Sequence, residues 1–285
     1  MVSSTIIVGV DGSAPSLAAV EYAARDAARR NAALRIIHVW PPLTMGDREI
    51  HQTEHRHHED IVAEAQRRAW DCAPDIEIST QLIRGDVTDR LGREAMGADE
   101  VVIGSRGRGG FAGLILGSVG LALAGHTAAP LVVVRTSPRH TYGELIAGYD
   151  GSEEAETALD FAFAEAERRE ARLKLVYAWQ PPPLAGSAAG YAALVQRMFD
   201  EQMTFVWQQL APWAEKFPQV PIEHTGVCGH PVYVLSEESR TADLVIVGSR
   251  RRGVIRSAAL GSVGYGLLHR AHCPVAIVTD KEDRK

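Results

Sequence analysis

The sequence predicts an α/β fold of two tandem domains, each a five-stranded parallel sheet sandwiched between helices. Three observations carry this reading. The chain has 285 residues, more than one domain usually holds. It repeats itself, in order, along its length. Within each repeat, β-branched apolar runs alternate with stretches of helical periodicity, the pattern of parallel strands joined by right-handed crossovers.

The repeat is explicit. Residues 5–13 read TIIVGVDGS and residues 144–152 read ELIAGYDGS, which puts Asp150 139 residues after Asp11. IIHVW at 36–40 returns as LVYAW at 175–179 with the same offset. VVIGSR at 101–106 returns as VIVGSR at 245–250, and LGSVG at 116–120 returns at 260–264, both 144 residues on. AAPLVVVR at 128–135 matches HCPVAIVT at 272–279. The offset grows between Trp40 and Val101, so a loop or helix changes length there. The domains are read as 1–137 and 143–280, with a polar linker at 138–142 that opens on Pro138.

TIIVGV is a continuous β-branched run, as expected of a parallel strand buried on both faces. Residues 14–31 follow with Leu17, Val20, Ala24 and Ala28 at helical spacing, Ser13 as the cap and Pro15 in the first turn. LRIIHVW is the second strand, 55–72 a helix, DIEISTQLI the third strand and 87–96 a short helix. Strand four (99–104), a glycine-rich loop, a helix from Ser118 and strand five (131–135) complete the copy. The second copy gives the same series. Its Met and aromatic residues from Met198 to Phe217 predict one long amphipathic helix.

Composition removes several classes of function. With 46% hydrophobic and 23% charged residues the chain is globular in type. No run approaches the roughly 18 apolar residues of a membrane span. The N-terminus, MVSSTIIVGVDGS, lacks the basic region and long apolar core of a signal peptide. A cytoplasmic protein without a membrane partner is expected. A net charge of −6 leaves no footprint for nucleic acid. Cys72, Cys228 and Cys273 are too far apart for a disulfide framework or zinc site and read as buried apolar thiols. His51, His55 and His58, with His57 beside them, invite a metal reading, since the first three share a helical face. The matching segment of the second copy, PPPLAGSAAGYAALVQ, has no histidine, so a solvated charged segment is expected instead.

In an open α/β sheet, ligands bind beyond the carboxyl ends of the strands. Strand one ends at Asp11, strand two at Val39 and Trp40, and strand four at Gly104. From there GSRGRGGFAGLILGSVG places Gly104, Gly107, Gly109, Gly110, Gly113, Gly117 and Gly120 within seventeen residues. So much glycine is costly in entropy, but it admits φ > 0 and a close approach of backbone to ligand. Successive N–H groups of such a loop form an anion-binding nest. Gly117-Ser118 leads into a helix whose N-terminus offers free N–H groups and partial positive charge. Ser118 can cap that helix or turn its hydroxyl to a phosphate, and Arg106 and Arg108 add charge. A polyphosphate fits this description.

Gly104-x2-Gly107-x9-Gly117-Ser118 matches the G-x2-G-x9-G-(S/T) motif of the ATP-binding class of universal stress proteins. The strand-one ending GVDGS and the strand-five context AAPLVVV also resemble that family, and the resemblance covers nearly the whole chain, twice. It implies a Rossmann-like fold of the adenine nucleotide α-hydrolase-like type, a stress-response role, and ATP as ligand, arriving with Mg²⁺. It also implies pairing of domains through strand five, inside the chain or in a homodimer of tandem chains. Carried over residue by residue, Asp11 and Val39 contact adenine and ribose, while Ile103 lines the nucleoside pocket. Gly104, Gly107, Gly117, Ser118 and Val119 hold the phosphates, with Gly9 and Arg106 beside them. The second-copy counterparts are Gly148, Asp150, Ala178, Val247, Gly248, Gly261, Ser262 and Val263.

The second copy departs from the motif. Arg251 stands where the first copy has Gly107. If Gly107 uses φ > 0, a side chain there costs about 1–2 kcal/mol, and it also fills space the phosphates need. Arg250, Arg252 and Arg256 nevertheless make this loop more cationic, and Gly253 is placed to shift the turn.

Rival nucleotide motifs fit poorly. Gly107-x-Gly109-x-x-Ala112 has dinucleotide-binding spacing but follows the fourth strand rather than the first, and no Asp or Glu lies between Glu100 and Glu144 to hold a ribose. The first repeat has no lysine, which removes a Walker loop, and Lys174 of the second has no glycine loop before it. GVDGSAPS only distantly echoes the S-G-G-x-D-S loop of adenylating relatives. Asp11 has no His or Lys beside it in sequence, so binding, with at most slow hydrolysis, is favoured over catalysis. A partner-binding stress protein that needs no nucleotide and an adenine-nucleotide hydrolase of the same fold stay open as alternatives.

Overall fold

The computed structural model describes residues 4–40, 48–107, 117–124, 127, 129–137, 140–180, 191–249 and 260–279, with backbone alone at 48–54 and 191–192. The first half runs β1 (Thr5–Gly9), α1 (Ala14–Arg30), β2 (Ala33–Trp40), α2 (Arg48–Cys72), β3 (Ile78–Arg84), α3 (Val87–Ala95), β4 (Glu100–Gly104), α4 (Ser118–Ala124) and β5 (Leu131–Val134). The second runs β6 (Glu144–Gly148), α5 (Glu153–Arg169), β7 (Arg172–Trp179), α6 (Tyr191–Gln208), α7 (Ala211–Lys216), β8 (Ile222–Cys228), α8 (Pro231–Glu238), β9 (Leu244–Gly248), α9 (Ser262–Arg270) and β10 (Val275–Val278). Among the described residues no helix is long and apolar enough to cross a membrane.

The strands form one ten-stranded sheet in the order β3-β2-β1-β4-β5-β10-β9-β6-β7-β8. Each half is parallel, and β5 meets β10 antiparallel, with Val133 opposite Val275 and Leu131 opposite Ile277. The pairing through strand five therefore occurs within the chain. LVVV and VAIV are buried along their whole length, so leaving either as a free edge would expose an apolar, unpaired ladder. Strand direction reverses at this junction, which puts the carboxyl ends of the two halves on opposite edges of the sheet.

Alternation along the strands divides the core into two layers. Ile6 and Val8 of β1 join Val20, Ala23 and Ala27 of α1 on one face, while Ile7 joins Leu91 and Leu123 of α3 and α4 on the other. α1 begins where Ser13 accepts the Ser16 N–H, has proline in its first turn and ends at Asn31 in the left-handed region. α5 repeats the device with Ser152, which accepts the Ala155 N–H.

The structure corrects three expectations. α2 begins at Arg48 rather than at residue 55, and β3 at Ile78 rather than Asp75. The helix expected across 198–217 is two helices, because Pro212 lacks an N–H for the Gln208 carbonyl and its ring crowds that turn. Met203 and Val206 of α6, with Leu210 and Phe217 flanking α7, are still buried in one layer.

Candidate functional site

The order β3-β2-β1-β4-β5 has its switch point between β1 and β4, whose connections leave in opposite directions. A crevice opens there at the carboxyl ends of the strands. It holds a cavity of about 310 Å³ lined by Gly9, Val10 and Asp11 after β1, Ser16 of α1, Ile37 and Val39 of β2, and Val87 and Leu91 of α3. Ile103, Gly104, Arg106 and Gly107 close it from the β4 side, and Gly117, Ser118, Val119 and Gly120 from the start of α4. Gly9, Asp11, Val39, Ile103, Gly104, Arg106, Gly107, Gly117, Ser118 and Val119, all read from the sequence, thus face one cleft. Its walls are mainly apolar, with a few convergent polar groups, as small-molecule sites usually are.

Asp11 is fixed by the turn that starts α1. Its Oδ1 accepts the Ser13 N–H at 3.0 Å, and its own N–H donates to Ser16 Oγ at 3.3 Å. Ser13 Oγ lies 2.6 Å from Asp11 Oδ1 and 3.0 Å from the Arg106 carbonyl, and gives its proton to one of them. The second carboxylate oxygen, Oδ2, lies against Gly107.

The glycines act differently from expectation. Gly104 and Gly107 are not in the left-handed region. They are glycines because there is no room: a Cβ at Gly104 would stand 2.6 Å from the Ser16 backbone nitrogen, and one at Gly107 would overlap Asp11 Oδ2. Gly117 donates its N–H to the Ser105 carbonyl at 2.9 Å, and its own carbonyl accepts from Leu121 at 3.3 Å. Gly117 therefore sits in the cap position and Ser118 is the first helical residue, with Val119 and Gly120 supplying the next first-turn N–H groups. Arg108, Gly109, Gly110 and Gly113 lie outside the described residues.

The sequence reading missed Val10, Ser16, Ile37, Val87, Leu91 and Gly120 as lining residues. Ile37 was within reach, since it shares a sheet face with Val39. Val87 and Leu91 reach the cleft only through the crossover that lays α3 over the strand ends. Leu91 stands 3.1 Å from where a Cβ on Gly9 would be. Arg135, at the end of β5, lines a separate cavity with Asp243 and His272. It donates to the Leu268 carbonyl of α9 at 2.5 Å, and its guanidinium is pushed below its ordinary value, by burial first and by Arg106 second.

The second half repeats the scaffold. Gly148 ends β6, Ala178 lies near the end of β7, Val247 and Gly248 end β9, and Gly261, Ser262 and Val263 open α9. Asp150 is held as Asp11 is, with Ser152 N–H at 3.1 Å and Ser152 Oγ at 2.5 Å from Oδ1. Gly248 abuts the Glu154 backbone and Gly148 abuts Leu235, as Gly104 and Gly9 do with their own counterparts. Two differences stand out: Tyr149 replaces Val10 and Ala155 replaces Ser16. Arg251 lies outside the described residues.

His55 and His57 are exposed, as expected of a solvated segment, while His58 is half-buried against the sheet. His58 Nδ1 is 2.7 Å from Nε2 of His38, a residue the sequence reading passed over, and His38 Nδ1 is 2.6 Å from the Val10 carbonyl. A carbonyl only accepts, so His38 Nδ1 carries hydrogen. The Trp40 ring packs against His58 and His55, with the Arg84 guanidinium 4.4 Å from its centre. His55 also meets Glu59 at 3.3 Å, whereas the His51 side chain is outside the described atoms. Of the cysteines, Cys72 and Cys273 are partly covered, and burial pushes the Cys273 thiol up to about 12. Cys228 is exposed, against expectation, because it ends the edge strand β8.

Comparison with known proteins agrees with this architecture. The model of the universal stress protein family matches twice, at residues 3–135 and 141–279. Universal stress proteins of Mycobacterium bovis and Mycobacterium tuberculosis are each 32% identical over 303 residues, covering 98% of this chain and 96% of theirs. A universal stress protein of Mycolicibacterium smegmatis is 31% identical over 288 residues, covering 96% of both. Among solved structures, a universal stress protein from Archaeoglobus fulgidus superposes with a TM-score of 0.71 at 19% identity, over 99% of this chain and 100% of that one, a likeness of fold. The chain belongs to the universal stress protein family, as a tandem member with two copies of the domain.

Proposed function

We propose that the first half binds ATP in the cleft between β1 and β4, and that the protein acts as a nucleotide-dependent stress-response module. One observation carries the reading: residues from four separate segments of the glycine motif and strand ends converge on one cavity whose two ends differ in character. Ile37, Val39, Leu91 and Ile103 give flat apolar walls suited to a purine base. Asp11, held by Ser13 through Oδ1, presents Oδ2 as an acceptor for a ribose hydroxyl. Gly107, without a Cβ, leaves backbone open beside that carboxylate. The first turn of α4 and Arg106 supply donors and charge for phosphates. Mg²⁺ accompanying ATP would lower the charge of the triphosphate; this chain's part is to orient the nucleotide. In the second half the same roles fall to Asp150, Ala178, Gly248, Gly261 and Ser262, with Arg251 opposing tight binding.

Binding with at most slow hydrolysis is the form of activity favoured, since the carboxylate in the cleft is committed to the turn around Ser13. The test is direct. Protein purified without added nucleotide is denatured and the released small molecules are separated by chromatography, and calorimetry with ATP and Mg²⁺ follows. Adenine nucleotide in the extract or a saturable heat supports the reading; neither in metal-replete protein overturns it. Comparing bound ATP with phosphate release separates binding from turnover. The proposal extends to a homodimer of tandem chains. Because β5 and β10 are consumed inside the chain, that contact uses a different surface, and sedimentation equilibrium reads it.

A further inference from the structure

Where the halves meet, α1 and α5 exchange arginines. Asp26 and Arg30 of α1 recur 139 residues on as Glu165 and Arg169 of α5. Each arginine pairs with the acid one turn earlier in its own helix, Arg30 with Asp26 at 2.7 Å and Arg169 with Glu165 at 3.0 Å. Each also reaches the acid of the other helix, Arg30 to Glu165 at 2.7 Å and Arg169 to Asp26 at 2.8 Å. Arg30 lies 5.6 Å from the centre of the Phe161 ring, and Arg169 lies over Tyr22 and donates to its hydroxyl at 2.7 Å. Two buried cations are thus balanced by two buried anions. Arg29 and Arg168 touch the same acids from the rim, where side-chain exposures of 36% and 31% let water screen them.

Glu100 is a third carboxyl with no symmetric partner. It begins β4, and the matching residue of β9 is the fully buried Leu244. Glu100 is also fully buried, its Oε2 touches Arg30, and its Oε1 has no hydrogen-bond partner. One oxygen each of Asp26, Glu100 and Glu165 lie within 4.8 Å of one another. Three ionised carboxylates so close repel, and an ionised carboxylate with an oxygen unmet by any donor is costly out of water. Glu165 stays ionised: burial, which raises it, is outweighed by Arg169, Arg30 and Arg168, and it is held at about 2. Glu100 moves the other way, well above the carboxylate range, through burial first and the charge of Asp26 next.

We propose that Glu100 keeps a proton in the folded protein at neutral pH, so that the junction of the two halves loosens when that proton leaves at alkaline pH. The groups facing Glu100 are Tyr22, Asp26 and Arg30 from α1 and Glu165 and Arg169 from α5, with Arg29 and Arg168 on the rim. Asp99, next to it in sequence, is occupied by the Thr5 N–H at 2.9 Å. Ile6 of β1 is its strand neighbour. The direction follows from linkage. An acid raised on folding contributes stability that is whole below its unfolded value, about 4.3, and is lost as pH rises through its folded value.

The test compares the full chain with Glu100→Gln by thermal unfolding from about pH 5 to about pH 10, together with infrared difference spectra in the carboxyl region. The expected result is a wild-type midpoint that falls progressively below that of the variant as pH rises. A protonated-carboxyl band should be present in the wild type at neutral pH and missing from the variant. A constant gap between the two midpoints at every pH, or no such band, overturns the proposal. If Glu100→Gln does not fold, Glu100→Leu, copying Leu244, makes the same comparison. Failure of both neutral variants to fold also overturns it, because a neutral group at this position is what is claimed.

Discussion

The Asp11 carboxylate occupies the space that a side chain at Gly107 would need. Asp11 cannot swing away cheaply, because Oδ1 is tied to the Ser13 N–H at 3.0 Å and lies 2.6 Å from Ser13 Oγ. Gly107→Ala is therefore expected to push Oδ2 out of its place in the cleft without disturbing the sheet. ATP affinity should fall about tenfold or more, the loss of one charge-assisted hydrogen bond. The unfolding midpoint should move little. Calorimetry beside urea denaturation separates the two effects, and an unchanged Kd would detach Asp11 from nucleotide recognition.

Gly117→Glu addresses the other end of the cleft. A Cβ on Gly117 would lie 3.9 Å from the Gly107 backbone nitrogen and the Arg106 Cα, so a glutamate there carries its charge into the phosphate region. Both bulk and sign oppose a triphosphate. Binding in the first half should vanish, seen as loss of one ATP equivalent per chain in equilibrium dialysis. Wild-type affinity in this variant would contradict the phosphate assignment.

Gly104→Ala should behave in the opposite way, as a stability variant. Its Cβ would meet backbone atoms, the Ser16 nitrogen at 2.6 Å and the Pro15 carbonyl carbon at 2.7 Å, rather than the yielding end of a side chain. α1 would have to shift against β4. The expected loss is about 1–3 kcal/mol, as for other overpacked sites, read from the urea midpoint. Gly248→Ala, set against the Glu154 backbone, should cost a similar amount.

These contrasts show what the residues declare on their own. The strands were legible because IIVG at 6–9 and VVIG at 101–104 are apolar without interruption, which only burial on both faces explains. The strand-end residues were legible because Asp11 and Gly104 close such runs. The purpose of a glycine was not: chain order cannot separate a left-handed turn from a missing Cβ, and for Gly107 the second applies. Val87 and Leu91 stayed hidden because their place depends on how α3 crosses the sheet. The break between α6 and α7 was written in Pro212, yet the apolar pattern ran across it. The arginine exchange was invisible for another reason. Asp26 and Arg30 look like an ordinary surface pair one turn apart, and nothing local shows that their other partners lie 139 residues away.

That exchange yields a stability prediction independent of any ligand. Arg169→Ala removes a guanidinium of 8% side-chain exposure that serves Asp26, Glu165 and Tyr22 together. Buried acids on both sides of the junction lose a partner, a change that usually costs about 3–5 kcal/mol. Arg168→Ala removes a rim residue of 31% exposure, and screening by water limits its effect to about 1 kcal/mol or less. Thermal unfolding of the two variants should differ clearly, and equal midpoints would show that the buried pairs do not hold the halves together.

The last prediction concerns the asymmetry between the halves. Asp150 is held by Ser152 in the geometry Ser13 gives Asp11, and Gly248 closes on α5 as Gly104 closes on α1, so the second scaffold is intact up to Ser249. The motif diverges at the next glycine position, where Arg251 replaces Gly107. In the first half that position has no room for a Cβ beside the carboxylate, and the repeat carries that expectation over to position 251. Arg251→Gly is therefore expected to raise the ATP affinity of the second half by about tenfold or more and to carry the stoichiometry toward two nucleotides per chain. The measurement is made in a Gly117→Glu background, where the first site is silent. If wild-type protein in that background already binds ATP as tightly as the first half does, a side chain at 251 is no obstacle. The steric reading of Gly107, on which the contrast between the halves rests, would then fail.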